Sequence, residues 1–237
     1  MSGPALVEFA NVEKAYQALR PLRLQSLRVA AGEIVSVSGI DALGAEVLVN
    51  LMTAAVQPDA GAVRLFGVAT DAVGDYDAWL ALLDGLGLLT DRAVLLGQCT
   101  VAQNLALPLT LAIDPIAAEV EAAVAGLADE VGIDPPWRVA RVQEAPAGVV
   151  QRVRLARALA LGPRLLVAEH PSASLPRDEV MPFARDLAAI AVRRGLGVLA
   201  LSADRDFIRA LGGTALALDP VTGALAGPGL LARFGWR

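Results

Sequence analysis

The chain has a single cysteine, Cys99, so no disulfide can form within it and a Cys-rich metal site is excluded. It has a single histidine, His170, which excludes His-cluster metal chemistry. Lys14 is the only lysine; every other basic side chain is arginine. The 20 basic residues are outnumbered by 25 acidic ones, giving a net charge of −5. That balance argues against nucleic acid as the partner, which calls for a basic face. No uncharged apolar run reaches the roughly 18 residues of a membrane span, so none is expected. The start, Met-Ser-Gly-Pro-Ala, lacks a basic region followed by an apolar run, so no secretory signal is expected. What the chain does have is apolar bulk. Hydrophobic residues make up 55% of its 237 residues, ample for a core and suited to a subunit that docks on an apolar partner. The length suits one domain, or one domain plus a subdomain.

Strand-like and helix-like segments alternate, which reads as α/β with a largely parallel sheet. Residues 6–9 and 24–29 read as early strands, 34–37 as a buried strand, 62–65 as a short strand closed by Gly67, and 86–89 as another apolar strand. From 101 to about 161 strand signals fade. Residues 116–131 are Ala-rich and helical, stopping at Gly132 with Pro135-Pro136 beyond. Residues 148–161 read as a second helix, with Val149, Val153, Ala156 and Leu159 at helical spacing. The core then resumes with a strand at 165–168, a helix at 178–194 and a strand at 197–201. Segments 214–218 and 224–225 suit a hairpin across Asp219 to Gly223.

One segment stands out chemically. The apolar run at 34–37 feeds Gly39, a second glycine follows at Gly44, and a helical pattern runs from Ala45 to about Ala54. This is the strand–loop–helix frame of a phosphate-binding loop, G-x-x-x-x-G-K-[ST]. The lysine position holds Ala45, the hydroxyl position Glu46, and Val47 follows. Between Val29 and Val63 there is no Lys or Arg, while Asp41 and Glu46 lie inside or beside the loop. A carboxylate ~4 Å from a phosphate charge, at an effective dielectric of ~20, opposes it by roughly 4 kcal/mol. A helix N-terminus returns only about 0.3–2 kcal/mol. Glu46, read as lying in the first turn, could take that N-terminus itself. These terms disfavour ATP–Mg in the ordinary pose.

Further segments carry a family resemblance. They are Asn11-Val12-Glu13-Lys14-Ala15-Tyr16, Ala31-Gly32-Glu33-Ile34-Val35, the stretch Gln57 to Gly67, Thr100 to Asn104 followed by Ala106-Leu107-Pro108-Leu109, the helix Gln151 to Leu159, and Leu165-Leu166-Val167-Ala168 with Pro171-Ser172 behind it. In this order and spacing the chain resembles the nucleotide-binding subunit of an ABC transporter over nearly its whole length. The resemblance implies an α/β P-loop NTPase (RecA-like) core with a mostly parallel sheet, an N-terminal antiparallel β part and a helical subdomain inserted at about 92–161. It implies one such domain over 1–237. It places an adenine-stacking aromatic at Tyr16.

The departures fall on the chemistry. The resemblance puts Ala45 where a lysine reaches the β- and γ-phosphates, Glu46 where a serine holds magnesium, and Asp91 where a glutamine senses the γ-phosphate. The signature Leu-Ser-Gly-Gly-Gln aligns with Ala145 to Val149, so Gly148 alone remains. Glu169 stands for the Asp of the second nucleotide motif, His170 for the catalytic Glu, Pro176 for the following Asp and Ala203 for the switch histidine. The nucleotide-binding positions are therefore Tyr16, Gly39, Asp41, Gly44, Ala45, Glu46, Val47, Asp91, Gly148 and Glu169, all in degenerate form. No catalytic residue is intact at His170 or Ala203, no metal ligand set is expected, and ATP with Mg²⁺ is at most a weak ligand. His170 could act as a base or merely replace the lost Glu. Glu46 and Glu169 could share a metal or form a buried pair, and Asp91 reads as a solvated loop acid.

The resemblance implies a pseudo-ATPase on the cytoplasmic face of a membrane, partnered by an integral-membrane permease and a second ABC ATPase subunit, with no nucleic acid. Two other readings stand beside it: a slow or atypical ATPase, and a regulatory or interaction protein that reuses the fold without a transporter. The stretch 97–111, with Leu105, Leu107 and Leu109, is where the family receives its permease.

Overall fold

The computed structural model describes residues 4–227. Strands β1 (Ala5–Lys14) and β2 (Leu22–Ala30) pair antiparallel, from Val7 opposite Val29 to Lys14 opposite Leu22. Strand β3 (Ile34–Ser38) runs into helix α1 (Ala42–Met52). Strands β4 (Ala60–Leu65) and β5 (Val68–Ala69) complete a sheet ordered β2-β1-β4-β5, all of it antiparallel. Helix α2 (Tyr76–Asp84) then leads to β6 (Leu86–Leu89).

The chain next turns helical, as expected: α3 (Val101–Ala106), α4 (Ala118–Glu130), α5 (Pro135–Val139) and α6 (Ala147–Leu159). It returns through β7 (Leu165–Glu169), α7 (Arg177–Arg194), β8 (Gly197–Leu201), α8 (Arg205–Leu211), β9 (Thr214–Leu218) and β10 (Leu225–Ala226). The second sheet is ordered β10-β9-β3-β8-β7-β6. Its pairs are parallel except β10 with β9, which form the hairpin across Asp219 to Gly223.

The period of the strands explains the layering. Leu166 and Ala168 of β7 and Val198 and Ala200 of β8 face the helices α3, α4, α6 and α7. Leu165 and Val167, with Leu199 and Leu201, face α1 and the antiparallel sheet. Both faces of a central parallel sheet are thus covered, which is why these strands read as unbroken apolar runs. The carboxyl ends of β3, β6, β7 and β8 lie along one edge, where an open parallel sheet presents its ligand site.

Several expected boundaries shift for local reasons. The helix expected at 45–54 begins at Ala42, because the Asp41 side chain accepts the Gly44 N–H at 2.7 Å and caps it. It ends at Met52, and Ala54 beyond it has φ 58°. Four helices escaped the sequence reading, α2, α3, α5 and α8. Asp75 caps α2 and Asp204 caps α8, and α3 carries a reciprocal capping box between Thr100 and Gln103. Residues this short in helix leave little periodicity to see, but the caps were visible signals.

Candidate functional site

The connection between β3 and α1 is short, Gly39 to Asp41, and Gly44 already lies inside α1. Gly39 has φ 84°, and a Cβ there would sit 2.8 Å from the Leu218 carbonyl oxygen, so only glycine fits. A Cβ on Gly44 would meet Asp41 Oδ1 at 3.0 Å and Ile40 Cγ2 at 3.1 Å. Asp41 takes the helix N-terminus for itself, the role considered above for Glu46. Because α1 starts at Ala42, Glu46 lies beyond its first turn. Ala45 is 1% exposed and packs in the core beneath the loop with Leu48 and Val49. Val47 is half-buried against the same core.

The absence of Lys and Arg along residues 29–63 does not leave Glu46 uncompensated. Arg92, in the turn after β6, comes in from outside the segment. Its Nη1 lies 3.1 Å from Glu46 Oε1. Its Nη2 donates to Glu169 Oε1 at 2.6 Å and its Nε to Glu169 Oε2 at 3.2 Å. Glu169, at the end of β7, is 8% exposed. The Arg92 guanidinium lies between the two acids and contacts both. Among the described residues no group of three or more His, Cys, Asp or Glu side chains could hold a metal. Asp91 is exposed but not merely solvated, because Arg154 of α6 pairs with it at 2.9 Å. Sequence reasoning missed Arg92; its position directly after Asp91 was the available signal.

At the start of α6, Gly148 is buried against a neighbouring side chain. A Cβ there would lie 1.6 Å from Glu179 Oε2 of α7. The chain's own carboxylate therefore lies against Gly148. The helix has no side-chain cap.

His170 follows Glu169 in a left-handed conformation, φ 43°, unusual for a residue with a side chain. Its N–H donates to the Leu201 carbonyl at 2.8 Å. Its Nε2 is buried without a hydrogen-bond partner. A cleft of about 360 Å³ runs past His170, Ser172, Ser202, Ala203 and Asp204. Ser172 donates to Asp204 Oδ2 at 3.1 Å, and Arg177 pairs with the same oxygen at 3.0 Å. Ala203 is exposed and offers no polar atom on its side chain. Pro176 immediately precedes α7.

Tyr16 is brought to the loop. With Arg20, Arg23, Gly39, Asp41, Gly44 and Leu218 it lines a cavity of about 140 Å³. Burial and the charge of Asp41 raise its phenol above the usual tyrosine pKa. The structure thus gathers Tyr16, Gly39, Asp41 and Gly44 on one side of the loop, and Glu46, Asp91 and Glu169 around two arginines on the other.

A parallel α/β sheet with this strand–loop–helix at its carboxyl edge, a flanking antiparallel sheet and a helical excursion is the P-loop NTPase fold of an ATP-binding cassette. Residues 22–173 match the family described as ABC transporter, and the chain belongs to that family as an ATP-binding domain. The methionine import ATP-binding protein MetN of Brucella abortus is 29% identical over 227 residues, 94% of this chain and 60% of its own length. MetN of Caulobacter vibrioides is 33% identical over 210 residues, 86% of this chain and 61% of its own. The chain therefore spans about three fifths of the length of these relatives. Among solved structures, cbiO1 from Clostridium perfringens, described as part of the ABC transporter complex cbiONQ, superposes with a TM-score of 0.77 over 98% of this chain and 91% of that one, at 15% identity. Among the described residues no helix is long and apolar enough to cross a membrane.

Proposed function

We propose that the chain works as the ATP-binding-type subunit of a membrane transporter in which ordinary ATP·Mg binding and hydrolysis are impaired. One observation carries this reading. The residue that should extend a cation to the phosphates is Ala45, whose methyl is sealed in the core. No other loop residue supplies that charge, and the signature end of the cassette is packed against Glu179. Titration with a fluorescent ATP analogue tests it: no magnesium-dependent saturation is expected at micromolar analogue, and such saturation overturns the reading.

The whole of 1–237 is taken as one such cassette, with its helical part at about 92–161, lying against the inner face of a membrane. The partners are an integral-membrane permease and a second ABC ATPase subunit. Import is taken as the direction, on the printed names of the methionine import relatives. For the permease, the surface taken is a cleft of about 250 Å³ lined by Leu86, Leu88, Pro108, Arg154, Arg157 and Leu161. Arg157 donates to the Val94 carbonyl at 2.7 Å, and Val94 is 76% exposed on its rim. Of the leucines expected to dock, Leu105 is fully buried and Leu107 and Leu109 are half-buried, while Leu111 stands 91% exposed. Arg154 and Arg157 complement an acidic or carbonyl-rich helix end.

The slow-ATPase reading keeps one supporting observation, the cavity beside Tyr16 with Gly39 and Gly44 in place. Phosphate release from the purified protein, lowered by Glu169→Ala, would support it.

A further inference from the structure

Magnesium in a phosphate site is held by one or two carboxylates together with phosphate oxygens and water, at close to octahedral geometry. Glu46 and Glu169 are oxygen donors of the right kind, but the space between them holds the Arg92 guanidinium. As arranged, these residues do not fit the ion. We propose that Arg92 is a built-in counter-cation: a side chain that fills the place of the divalent ion and holds the site in one state without ion or nucleotide. This deepens the reading of an impaired cassette and rests on it.

The geometry suits such a role. A guanidinium presents a planar fork that matches a carboxylate at two points and keeps its charge at every physiological pH. Here the fork meets Glu169 with Nε and Nη2, and Nη1 is left to face Glu46. The three groups come from α1, from the turn after β6 and from the end of β7, so the contact joins separate parts of the sheet edge. Among the described residues no other basic side chain pairs with either acid. The turn is held from its other side by Arg154 on Asp91. Two acids sharing one guanidinium leave one negative charge over, which is the composition of a cation site whose cation is covalently attached.

The test uses the full chain with Mn²⁺ alone, read by electron paramagnetic resonance without nucleotide. Wild type, Arg92→Met, Arg92→Gln and the double variant Arg92→Met/Glu169→Gln are compared after their folding is checked by circular dichroism. Removing the guanidinium is expected to tighten Mn²⁺ binding at least about tenfold over wild type, since a cation at hydrogen-bond distance no longer repels the ion. The double variant is expected to lose that gain. Equal binding by wild type and the Arg92 variants, no binding by any of them, or a gain that survives the loss of the Glu169 charge would each overturn the proposal. Should neither Arg92 variant fold, the wild type decides: its melting temperature is expected to be the same with Mn²⁺ as with chelator, and a rise with Mn²⁺ overturns the proposal. Magnesium-dependent binding of an ATP analogue by the wild type is a separate result. It would overturn the impaired-cassette reading while the nucleotide-free Mn²⁺ experiment still decides the part played by Arg92.

Discussion

Arg92 and Glu169 stand 77 residues apart in the chain and meet through two N–H···O contacts of 2.6 and 3.2 Å. The carboxylate is nearly buried while the arginine is half-exposed. Removing the arginine therefore leaves an unpaired acid out of water, whereas removing the acid leaves a cation that water can still reach. Arg92→Met is expected to lower stability by about 1–3 kcal/mol, and Glu169→Gln by less, because losing one partner of a buried polar pair exposes the other to its desolvation cost. Urea unfolding of the two single variants and the double variant measures this, and the double variant is expected to lose less than the sum of the singles.

Gly148 and Glu179 compete for the same space. Gly148→Ala places a methyl where Glu179 Oε2 now lies, but the clash is with the free end of a flexible side chain. Alanine also gains up to about 1 kcal/mol of helix propensity over glycine. The single change is expected to be tolerated, and Glu179→Ala is expected to make Gly148→Ala more stable than wild type. Thermal unfolding of the four proteins reads out the coupling.

Tyr16 supplies a pH signature. Burial first, and then the Asp41 charge, disfavour its ionised form, so its folded pKa lies above the ordinary value of about 10. The stabilising contribution is complete below the unfolded pKa. It is lost as pH rises through the folded pKa, because the unfolded chain releases its proton first. Ultraviolet titration is expected to place Tyr16 above the ordinary tyrosine value, and Asp41→Asn is expected to bring it partway back.

His170 is strained by its left-handed backbone. Asparagine tolerates that region better than histidine, and a β-branched residue far worse. His170→Asn is expected to be neutral or slightly stabilising, while His170→Val should cost about 1–3 kcal/mol. If His170→Asn instead unfolds the protein, the buried ring rather than the backbone sets the residue.

The proposed permease surface predicts a separation of effects. Val94 and Leu161 are exposed, so Val94→Asp and Leu161→Asp should change stability by no more than about 0.5 kcal/mol. Both are expected to reduce recovery of the protein with its membranes in a pull-down, since a carboxylate would be desolvated on docking.

How far each feature was legible depended on how local its cause is. Strands β3, β7 and β8 could be read because both their faces are covered, which leaves a continuous apolar run. The start of α1 was misplaced by a few residues, since Asp41 was read for its charge rather than as a cap. Helix α3 was overlooked although Thr100 and Gln103 form its capping box. Asp91 was read as a solvated acid because its partner, Arg154, lies on a helix far along the chain.

By itself, then, the amino-acid order determined the alternation of strand and helix, the two-glycine loop and the residues that stand in it. Those depend on periodicity, on glycine at special backbone angles and on side chains within a turn of one another. Only the tertiary structure decided which groups meet: Asp41 on the helix N-terminus, Arg92 between Glu46 and Glu169, and Glu179 against Gly148. A charge finds its partner through space. The packing of α1, α6 and α7 on the sheet chose those partners, and no spacing along the chain encodes that choice.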